Sequence, residues 1–252
     1  MNKKGLLIVS FGTSHRDALE AAIAAVEREA AAAFPDRVPA RAFTSGMIRR
    51  KLSKEGTEIL NVPGALAALR AEGVEDLLVL PTHLIPGEEY EKLLGFLAEA
   101  EGFAALRVAR PLMTSLEDVD GVLSALSAAV ERQEGEALVL MGHGSEHNCN
   151  LLYSAAAYYA REKVAPDIFI GTVEAWPDLD TVVDAVKRAG YRKALLTPLM
   201  LVAGDHAKND MAGDWAERFR AEGIETRCLL RGLGEYEGIR ALYVQRAKAA
   251  LE

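Results

Sequence analysis

The chain has 252 residues, of which 50% are hydrophobic, and a formal net charge of −8 at pH 7. This length can form one large α/β domain or two smaller ones with ample core, and the acidic balance argues against non-specific binding to nucleic acid or to anionic membranes. The two cysteines, Cys149 and Cys228, lack a Cys-x-x-Cys spacing, which argues against a disulfide framework or a thiolate metal cluster.

Short apolar runs alternate with longer amphipathic stretches along the chain. Strands are predicted, in chain order, at 5–12, 76–85, 106–112, 136–144, 167–176, 193–204 and 226–234. Helices are predicted at 14–34, with Ser14 as N-cap, and at 87–100, 150–163, 178–190, 206–222 and 235–250. Strands that alternate with helices are typical of parallel sheets covered by helices on both faces.

The N-terminal run GLLIVSFG predicts a strand and not a signal peptide, because polar residues and a helical pattern follow it at once. No apolar run approaches the length of a membrane-spanning helix. We therefore expect a cytoplasmic protein that binds neither membrane nor nucleic acid.

The two halves of the chain resemble each other. GLLIVSFGTS (5–14) matches ALVLMGHGSE (137–146), and PTHLIPGEEYEKLLGFL (81–97) matches PLMLVAGDHAKNDMAGDW (198–215). Alignment of the glycines places Glu89 opposite His206. This pattern predicts two similar lobes, joined near 112–136, with a ligand cleft between them; the alternative is that all strand–helix units look somewhat alike.

Three residues of the second half follow predicted strands and could share one site. His143 follows ALVLMG, Glu174 follows FIGTV, and His206 follows LMLVAGD. Ligands of open parallel sheets bind beyond the carboxyl ends of the strands. Two imidazoles and a carboxylate suit cobalt, iron, nickel or zinc, whereas calcium and magnesium prefer oxygen ligands alone.

Structural roles for the same residues stay open. A lone histidine at a strand end is more often a hydrogen-bonded structural residue than a ligand, and Glu174 could accept backbone N–H groups of the next helix. His206 could belong to an ordinary helix N-terminus, and His83 could either line the cleft or sit in the core. The sequence contains no Walker phosphate loop, no dinucleotide fingerprint and no nucleophile elbow.

Longer motifs carry a resemblance to a known family. VSFGTS, RAFTSGMIRRKL, GEEYEK, VLMGHG, VEAWPDLD and LTPLMLVAGDHAKNDMAGD, spread over about residues 5 to 245, resemble the anaerobic cobalt chelatases of vitamin B12 synthesis. This is the sirohydrochlorin cobaltochelatase family CbiK, related in fold to class II chelatases. The resemblance implies a chelatase-like α/β fold with an N-terminal lobe at 1–115 and a C-terminal lobe at 116–252 that carries the metal site.

The resemblance also implies the residues of the site. The family's metal-binding motifs fall on His143, Glu174 and His206, the trio reached from the strand ends. After Gly-His-Gly the family often has a small residue and then Ser-His, whereas this chain has Ser-Glu-His, so no role is carried over to His147. The flanking glycines of His143 would let the face of a tetrapyrrole come close.

The implied reaction is insertion of Co²⁺ into sirohydrochlorin, or its reduced precursor, with release of two pyrrole protons during anaerobic cobalamin biosynthesis. This makes the chain a lyase-class chelatase without an organic cofactor, for which Fe²⁺, Ni²⁺ or Zn²⁺ could replace Co²⁺. His143 and Glu89 are the predicted proton acceptors. The predicted substrate-binding groups are Ser10, Thr13, Ser14, Thr44, Ser45 and His83, with Arg49 or Arg50 as further donors to the substrate carboxylates.

Other functions would use the same three ligands. A non-catalytic carrier of tetrapyrrole or divalent metal would bind without turnover, and a ferrochelatase or nickel chelatase would act on the same substrate. A zinc hydrolase would need a pocket for an electrophile instead of room for a flat macrocycle. The sequence leaves open whether the chain forms a homo-oligomer.

Overall fold

The computed structural model describes residues 3–252. Residues 1 and 2, with which the predicted N-terminal lobe begins, lie outside the described residues. The strands are β1 (Lys3–Ser10), β2 (Arg37–Phe43), β3 (Val74–Pro81), β4 (Ala105–Val108), β5 (Glu136–Gly142), β6 (Ile168–Thr172), β7 (Lys193–Pro198) and β8 (Glu225–Cys228).

Helices follow the strands throughout the described residues. The α-helices are α1 (Arg16–Ala18), α2 (Ala24–Ala33), α3 (Gly46–Lys54), α4 (Val62–Ala71), α5 (Glu88–Ala98), α6 (Leu116–Ala129), α7 (Leu151–Tyr159), α8 (Leu179–Arg188), α9 (Ala216–Ala221) and α10 (Glu237–Ala249). The π-helical turns are Leu19–Ile23, Ala160–Val164 and Ala207–Trp215, and the 3₁₀ turns are Asn148–Asn150 and Leu233–Glu235. No helix within residues 3–252 is long and apolar enough to span a bilayer.

The strands form two parallel sheets of the same topology. Among the described residues, one four-stranded sheet has the order β2-β1-β3-β4 and the other has the order β6-β5-β7-β8. Each inner strand is buried on both faces, as the run Leu6–Val9 shows for β1, because helices cover both sides of a parallel sheet. The predicted fold class, with two similar parallel α/β units, is confirmed.

The chain divides into two compact units. One unit runs to Leu112 and adds Arg240–Glu252, and the other comprises Met113–Ile239. The first boundary lies close to the predicted one at 115/116, but the C-terminal segment differs, since residues 240–252 were expected in the second lobe. The cleft expected between the lobes stays a prediction.

The C-terminal segment belongs to the first unit because its side chains bind there. The Tyr243 hydroxyl donates to the backbone oxygen of Thr82 at 2.8 Å, and both groups are buried. Arg240 pairs with Glu29 at 2.6 Å. The sequence pattern of α10 predicts a helix correctly, but it carries no sign of which sheet the helix packs against.

Several elements were absent from the sequence prediction, and each has a physical reason. Strand β2 contains Pro39 and two arginines, and it tolerates them because it lies at the edge of its sheet. Helix α3 carries four basic residues and buries Leu52 alone among its described residues. Helix α6 occupies the predicted linker, where Ser115 caps it by accepting from the backbone of Asp118 at 3.2 Å.

The first helical segment begins slightly later than predicted. Helix α1 starts at Arg16 with His15 at its N-cap, where Ser14 was expected, and His15 makes no side-chain cap hydrogen bond. The backbone N–H of His15 instead binds the hydroxyl of Thr13 at 3.1 Å. The β1 loop therefore turns one residue further before the helix begins.

Candidate metal centre

The three predicted ligands lie at one edge of the second sheet. His143 directly follows β5, and Glu174 comes two residues after β6. His206 comes eight residues after β7 and directly precedes the π-helical turn Ala207–Trp215. Strand β5 lies between β6 and β7, so the chain leaves β5 and β7 toward opposite sides. Such a switch point is where parallel sheets bind ligands.

The three side chains converge. One ligand atom from each of His143, Glu174 and His206 lies within 4.8 Å of the other two. Nδ1 of His143 lies 3.5 Å from Oε2 of Glu174. The rings of His143 and His206 are perpendicular, with centroids 4.7 Å apart. The structure therefore brings together two nitrogen donors and one oxygen donor. Metal binding by these three atoms stays a prediction.

Two glycines hold His143 in this place. A Cβ atom on Gly142 would lie 2.4 Å from the ring of Tyr153, and one on Gly144 would lie 2.9 Å from the backbone nitrogen of Ala175. Gly144 also has a φ of +89°, a conformation that side chains with a Cβ rarely adopt. The glycines are thus required by packing within the unit, and the close approach of a macrocycle to His143 stays a prediction.

The backbone fixes Glu174 relative to His143. The N–H of Glu174 donates to the carbonyl oxygen of His143 at 2.9 Å. Both side chains are exposed, so a metal ion could reach them from solvent. The alternative role for Glu174, accepting backbone N–H groups of the next helix, is taken by Asp178, which caps α8 by accepting from the N–H of Thr181.

His206 is oriented by a carboxylate that the sequence analysis did not single out. Its Nδ1 lies 2.8 Å from Oδ2 of Asp210, one helical turn further along. A metal-binding histidine commonly donates its second ring N–H to such a carboxylate, which fixes the tautomer and the ring orientation. Nε2 is then the free ligand atom. The i, i+4 spacing of His206 and Asp210 was the available signal.

Three predicted substrate-binding hydroxyls of the first unit are buried and already bonded. Ser10 accepts from the hydroxyl of Thr82 at 2.8 Å, and Thr13 binds the turn after β1. Ser45 caps α3 by accepting from the N–H of Ile48 at 3.3 Å. These groups shape the carboxyl edge of the first sheet, whereas Ser14 is partly exposed. Substrate binding by any of them stays a prediction.

Glu89 lies in the first turn of α5 and is held ionised. Burial opposes its ionisation, but the neighbouring Lys92 and Thr44 outweigh that effect and bring its pKa below the usual range. Nζ of Lys92 donates to Oε1 of Glu89 at 2.7 Å. Glu89 is therefore a carboxylate at neutral pH and a weak base.

His83 of the first unit is half-buried as a residue, and both of its ring nitrogens are buried. Burial lowers its pKa to about 4, so the ring is neutral at pH 7. Within residues 3–252, neither ring nitrogen has a hydrogen-bond partner. The Tyr90 ring is its aromatic neighbour, 6.4 Å away between centroids. A buried imidazole without a hydrogen-bond partner lowers the stability of the fold. The structure leaves open whether His83 lines a ligand site or belongs to the core.

The fold of two similar parallel α/β units is that of chelatases of known structure. The crystal structure of the sirohydrochlorin chelatase SirB from Bacillus subtilis subspecies spizizenii in complex with cobalt matches 98% of this chain and 95% of its own chain. The TM-score is 0.68 at 14% sequence identity, which compares the folds alone.

The chain belongs to the cobalt chelatase (CbiK) family, whose model matches residues 4–252. It is 41% identical to the sirohydrochlorin cobaltochelatase of Salmonella typhimurium over 256 aligned residues, covering 99% of this chain and 97% of that protein. It is 34% identical to the sirohydrochlorin cobaltochelatase CbiKC of Nitratidesulfovibrio vulgaris, covering 100% of this chain and 92% of that protein. The family resemblance inferred from the motifs is confirmed.

Proposed function

We propose that this chain inserts Co²⁺ into sirohydrochlorin, or its reduced precursor, during anaerobic cobalamin biosynthesis. The observation that carries the proposal is the cluster of His143, Glu174 and His206 at the edge of the second sheet, in a chain of the cobalt chelatase family. Both curated relatives have this activity in their names and align over nearly the whole chain.

The three side chains would bind the incoming metal ion before it is transferred to the macrocycle. Co²⁺ suits two imidazole nitrogens and one carboxylate oxygen, and three protein ligands leave coordination positions open for the pyrrole nitrogens. His206 is aligned for this role by Asp210. As the macrocycle takes over the ion, each protein ligand is released in turn.

Two pyrrole protons must leave as the metal enters. The balance is one divalent ion in and two protons out, with no change of oxidation state. His143 can hold the metal or accept a proton, but one nitrogen cannot do both at the same moment. Glu174 and His206 would hold the ion while His143 accepts a proton.

Glu89 is the proposed second acceptor. Its lowered pKa means that it is ionised and able to receive a proton at neutral pH. The same low basicity means that it would keep the proton only briefly before passing it to water. A positioning role for the carboxylate, which would orient the macrocycle, is the other function that its charge supports.

The remaining parts of the proposal follow from the ligand set and the composition. Fe²⁺, Ni²⁺ or Zn²⁺ should enter the same site, because imidazole and carboxylate suit all of them. We propose a cytoplasmic enzyme that uses no organic cofactor, and formation of a homo-oligomer is left to measurement.

An anaerobic insertion assay tests the function. Purified protein is mixed with excess sirohydrochlorin and Co²⁺, and the visible spectrum is followed against a protein-free control. Many turnovers per chain are expected, with little product from a His143→Ala variant. A single stoichiometric change without turnover would instead identify a carrier, and a rate equal to the protein-free control would overturn the proposal.

A further inference from the structure

Two loops of the second unit carry the first two donors of the metal site. The His143 loop (143–147) follows β5, and the Glu174 loop (173–178) lies between β6 and α8. The N–H of Glu174 donates to the carbonyl oxygen of His143 at 2.9 Å. Beyond this pair, no backbone hydrogen bond joins the two loops among residues 3–252. The outer part of each loop therefore needs another contact to hold it.

The side-chain amide of Asn150 joins the outer parts of the two loops. Its Oδ1 accepts from the N–H of Ser145 at 3.1 Å, and its Nδ2 donates to the backbone oxygen of Trp176 at 2.7 Å. Ser145 comes two residues after His143, and Trp176 comes two residues after Glu174. One side chain thus bonds each loop two residues beyond a donor. An amide suits this position because it offers both an acceptor and a donor.

Capping of α7 does not explain Asn150. Asparagine is favoured at the N-cap of a helix, where its side-chain oxygen accepts from a backbone N–H of the first turn. Asn150 stands at the N-cap of α7 but makes no such bond, and its own backbone is already helical, with φ −57° and ψ −26°. This is because the 3₁₀ turn Asn148–Asn150 leads directly into α7. The amide of Asn150 is therefore engaged by the two loops and not by the helix.

Helix α7 gives Asn150 a fixed base. Tyr153, in the first turn of α7, is buried, and its ring lies against Gly142 at the end of β5, where an added Cβ atom would come within 2.4 Å of it. The His143 loop, by contrast, contains Gly144, and glycine loses more backbone freedom on ordering than any other residue type. A hydrogen bond from a residue anchored against the sheet restricts this loop.

We propose that Asn150 is a positioning residue of the metal site, which sets the separation of His143 and Glu174 by bonding the loops that carry them. It supplies no ligand atom itself. This inference rests on the proposed function, because it concerns how the Co²⁺ site is kept ready for the ion. Binding groups must be held within about 0.5 Å of their working geometry by the hydrogen bonds around them. Loss of such a supporting group lowers metal affinity about 10- to 100-fold.

The test measures Co²⁺ binding to the protein without tetrapyrrole, by calorimetry at fixed neutral pH. Asn150→Ala removes both hydrogen bonds with most of the side chain, and Asn150→Leu removes both bonds but keeps a side chain of similar size. Both variants should raise Kd about tenfold, the lower end of the range, because the backbone bond between Glu174 and His143 remains. A rise with Asn150→Ala alone would overturn the proposal, since the filled volume and not the hydrogen bonds would then matter.

The visible absorption of bound Co²⁺ reports on the geometry of the site. Its bands depend on the number and arrangement of the ligands, so protein saturated with Co²⁺ should give a changed spectrum in both variants. A general loss of stability would leave the spectrum of the folded, metal-bound protein as it is. Weaker binding with the wild-type spectrum would therefore overturn the positioning role.

Asn148→Ala is the matched control for these variants. Asn148 is the same residue type in the same 3₁₀ turn, it is exposed, and its side chain makes no hydrogen bond among residues 3–252. This variant should keep Kd within about twofold of the wild type and should keep the wild-type spectrum. Thermal melting checks that each variant is folded at the temperature of the titration.

The outcomes distinguish this inference from the function on which it rests. Wild-type Co²⁺ affinity in both Asn150 variants would overturn the positioning role, whatever the rate of metal insertion. Failure of the wild type to bind Co²⁺ would overturn both proposals. Co²⁺ binding that depends on Asn150, in a protein that inserts no metal into sirohydrochlorin, would overturn the function alone.

Discussion

The orientation of His206 by Asp210 gives a quantitative prediction about metal affinity. The 2.8 Å contact between Nδ1 of His206 and Oδ2 of Asp210 fixes the ring and leaves Nε2 as the ligand atom. Asp210→Ala removes the carboxylate and frees the ring to rotate. Asp210→Asn keeps an oxygen that can accept from Nδ1–H but removes the negative charge.

The size of the effect follows from the exposure of the pair. Loss of a group that orients a metal-binding histidine costs about 10- to 100-fold in affinity. The side chains of His206 and Asp210 are 36% and 35% exposed, so solvent screens their interaction. We therefore expect the lower end for Asp210→Ala, about tenfold or about 1.4 kcal/mol, and a smaller loss for Asp210→Asn.

Calorimetric titration with Co²⁺ at fixed neutral pH measures the effect. Asp214→Asn is the matched control, because Asp214 lies in the same π-helical turn with an exposed side chain. Thermal melting of each variant checks that the fold is kept. Wild-type Co²⁺ affinity in Asp210→Ala would refute the reasoning, since the contact would then have no part in metal binding.

Further predictions concern other residues of the two units. His206→Ala should weaken Co²⁺ binding and insertion together, with part of the rate recovered by extra metal. Glu89→Gln should slow insertion and leave calorimetric Co²⁺ affinity nearly unchanged; equal loss of metal in both variants would contradict this division of roles. Gly144→Ala should destabilise the fold by about 1–3 kcal/mol in denaturant titration, because its φ of +89° strains an alanine, and wild-type stability would argue against that strain. Burial lowers the pKa of His83 to about 4 in the folded chain, whereas a histidine of the unfolded chain titrates at about 6.5. As the pH falls below about 6.5, the unfolded chain therefore binds this proton before the folded chain does. The contribution of His83 to the free energy of unfolding is fully present above that pH. It is about 2 kcal/mol smaller at about pH 5 and is lost near pH 4. Denaturant titrations should therefore show a smaller loss between pH 8 and pH 5 in His83→Gln than in the wild type, and parallel curves would exclude the burial effect.

The alternation of apolar and amphipathic stretches was enough to predict the inner strands and the parallel sheets. Inner strands such as β5 are buried along their whole length, so their sequence is a continuous apolar run. The edge strand β2 gives no such run, because an edge position accepts Pro39 and charged residues. The predicted strand at 193–204 ended too late, since β7 stops at Pro198 and the chain leaves the sheet there.

The convergence of His143, Glu174 and His206 could be predicted because each lies on a loop that follows a strand of one parallel sheet, and such loops meet at one edge of the sheet. Metal binding by these residues stays a prediction. The i, i+4 spacing permits a contact between His206 and Asp210, but the side-chain rotamer of His206 decides whether the contact forms, and the spacing does not specify that rotamer.

The return of α10 to the first unit has a consequence for the order of folding. Residues 240–252 supply buried groups to the first unit, including Tyr243, whose hydroxyl binds Thr82. These residues leave the ribosome only after the whole of the second unit, whereas domains usually fold in the order of their synthesis. We therefore expect the second unit, made from one continuous segment, to complete its core first, and the first unit to complete its core only after its last helix has been synthesised.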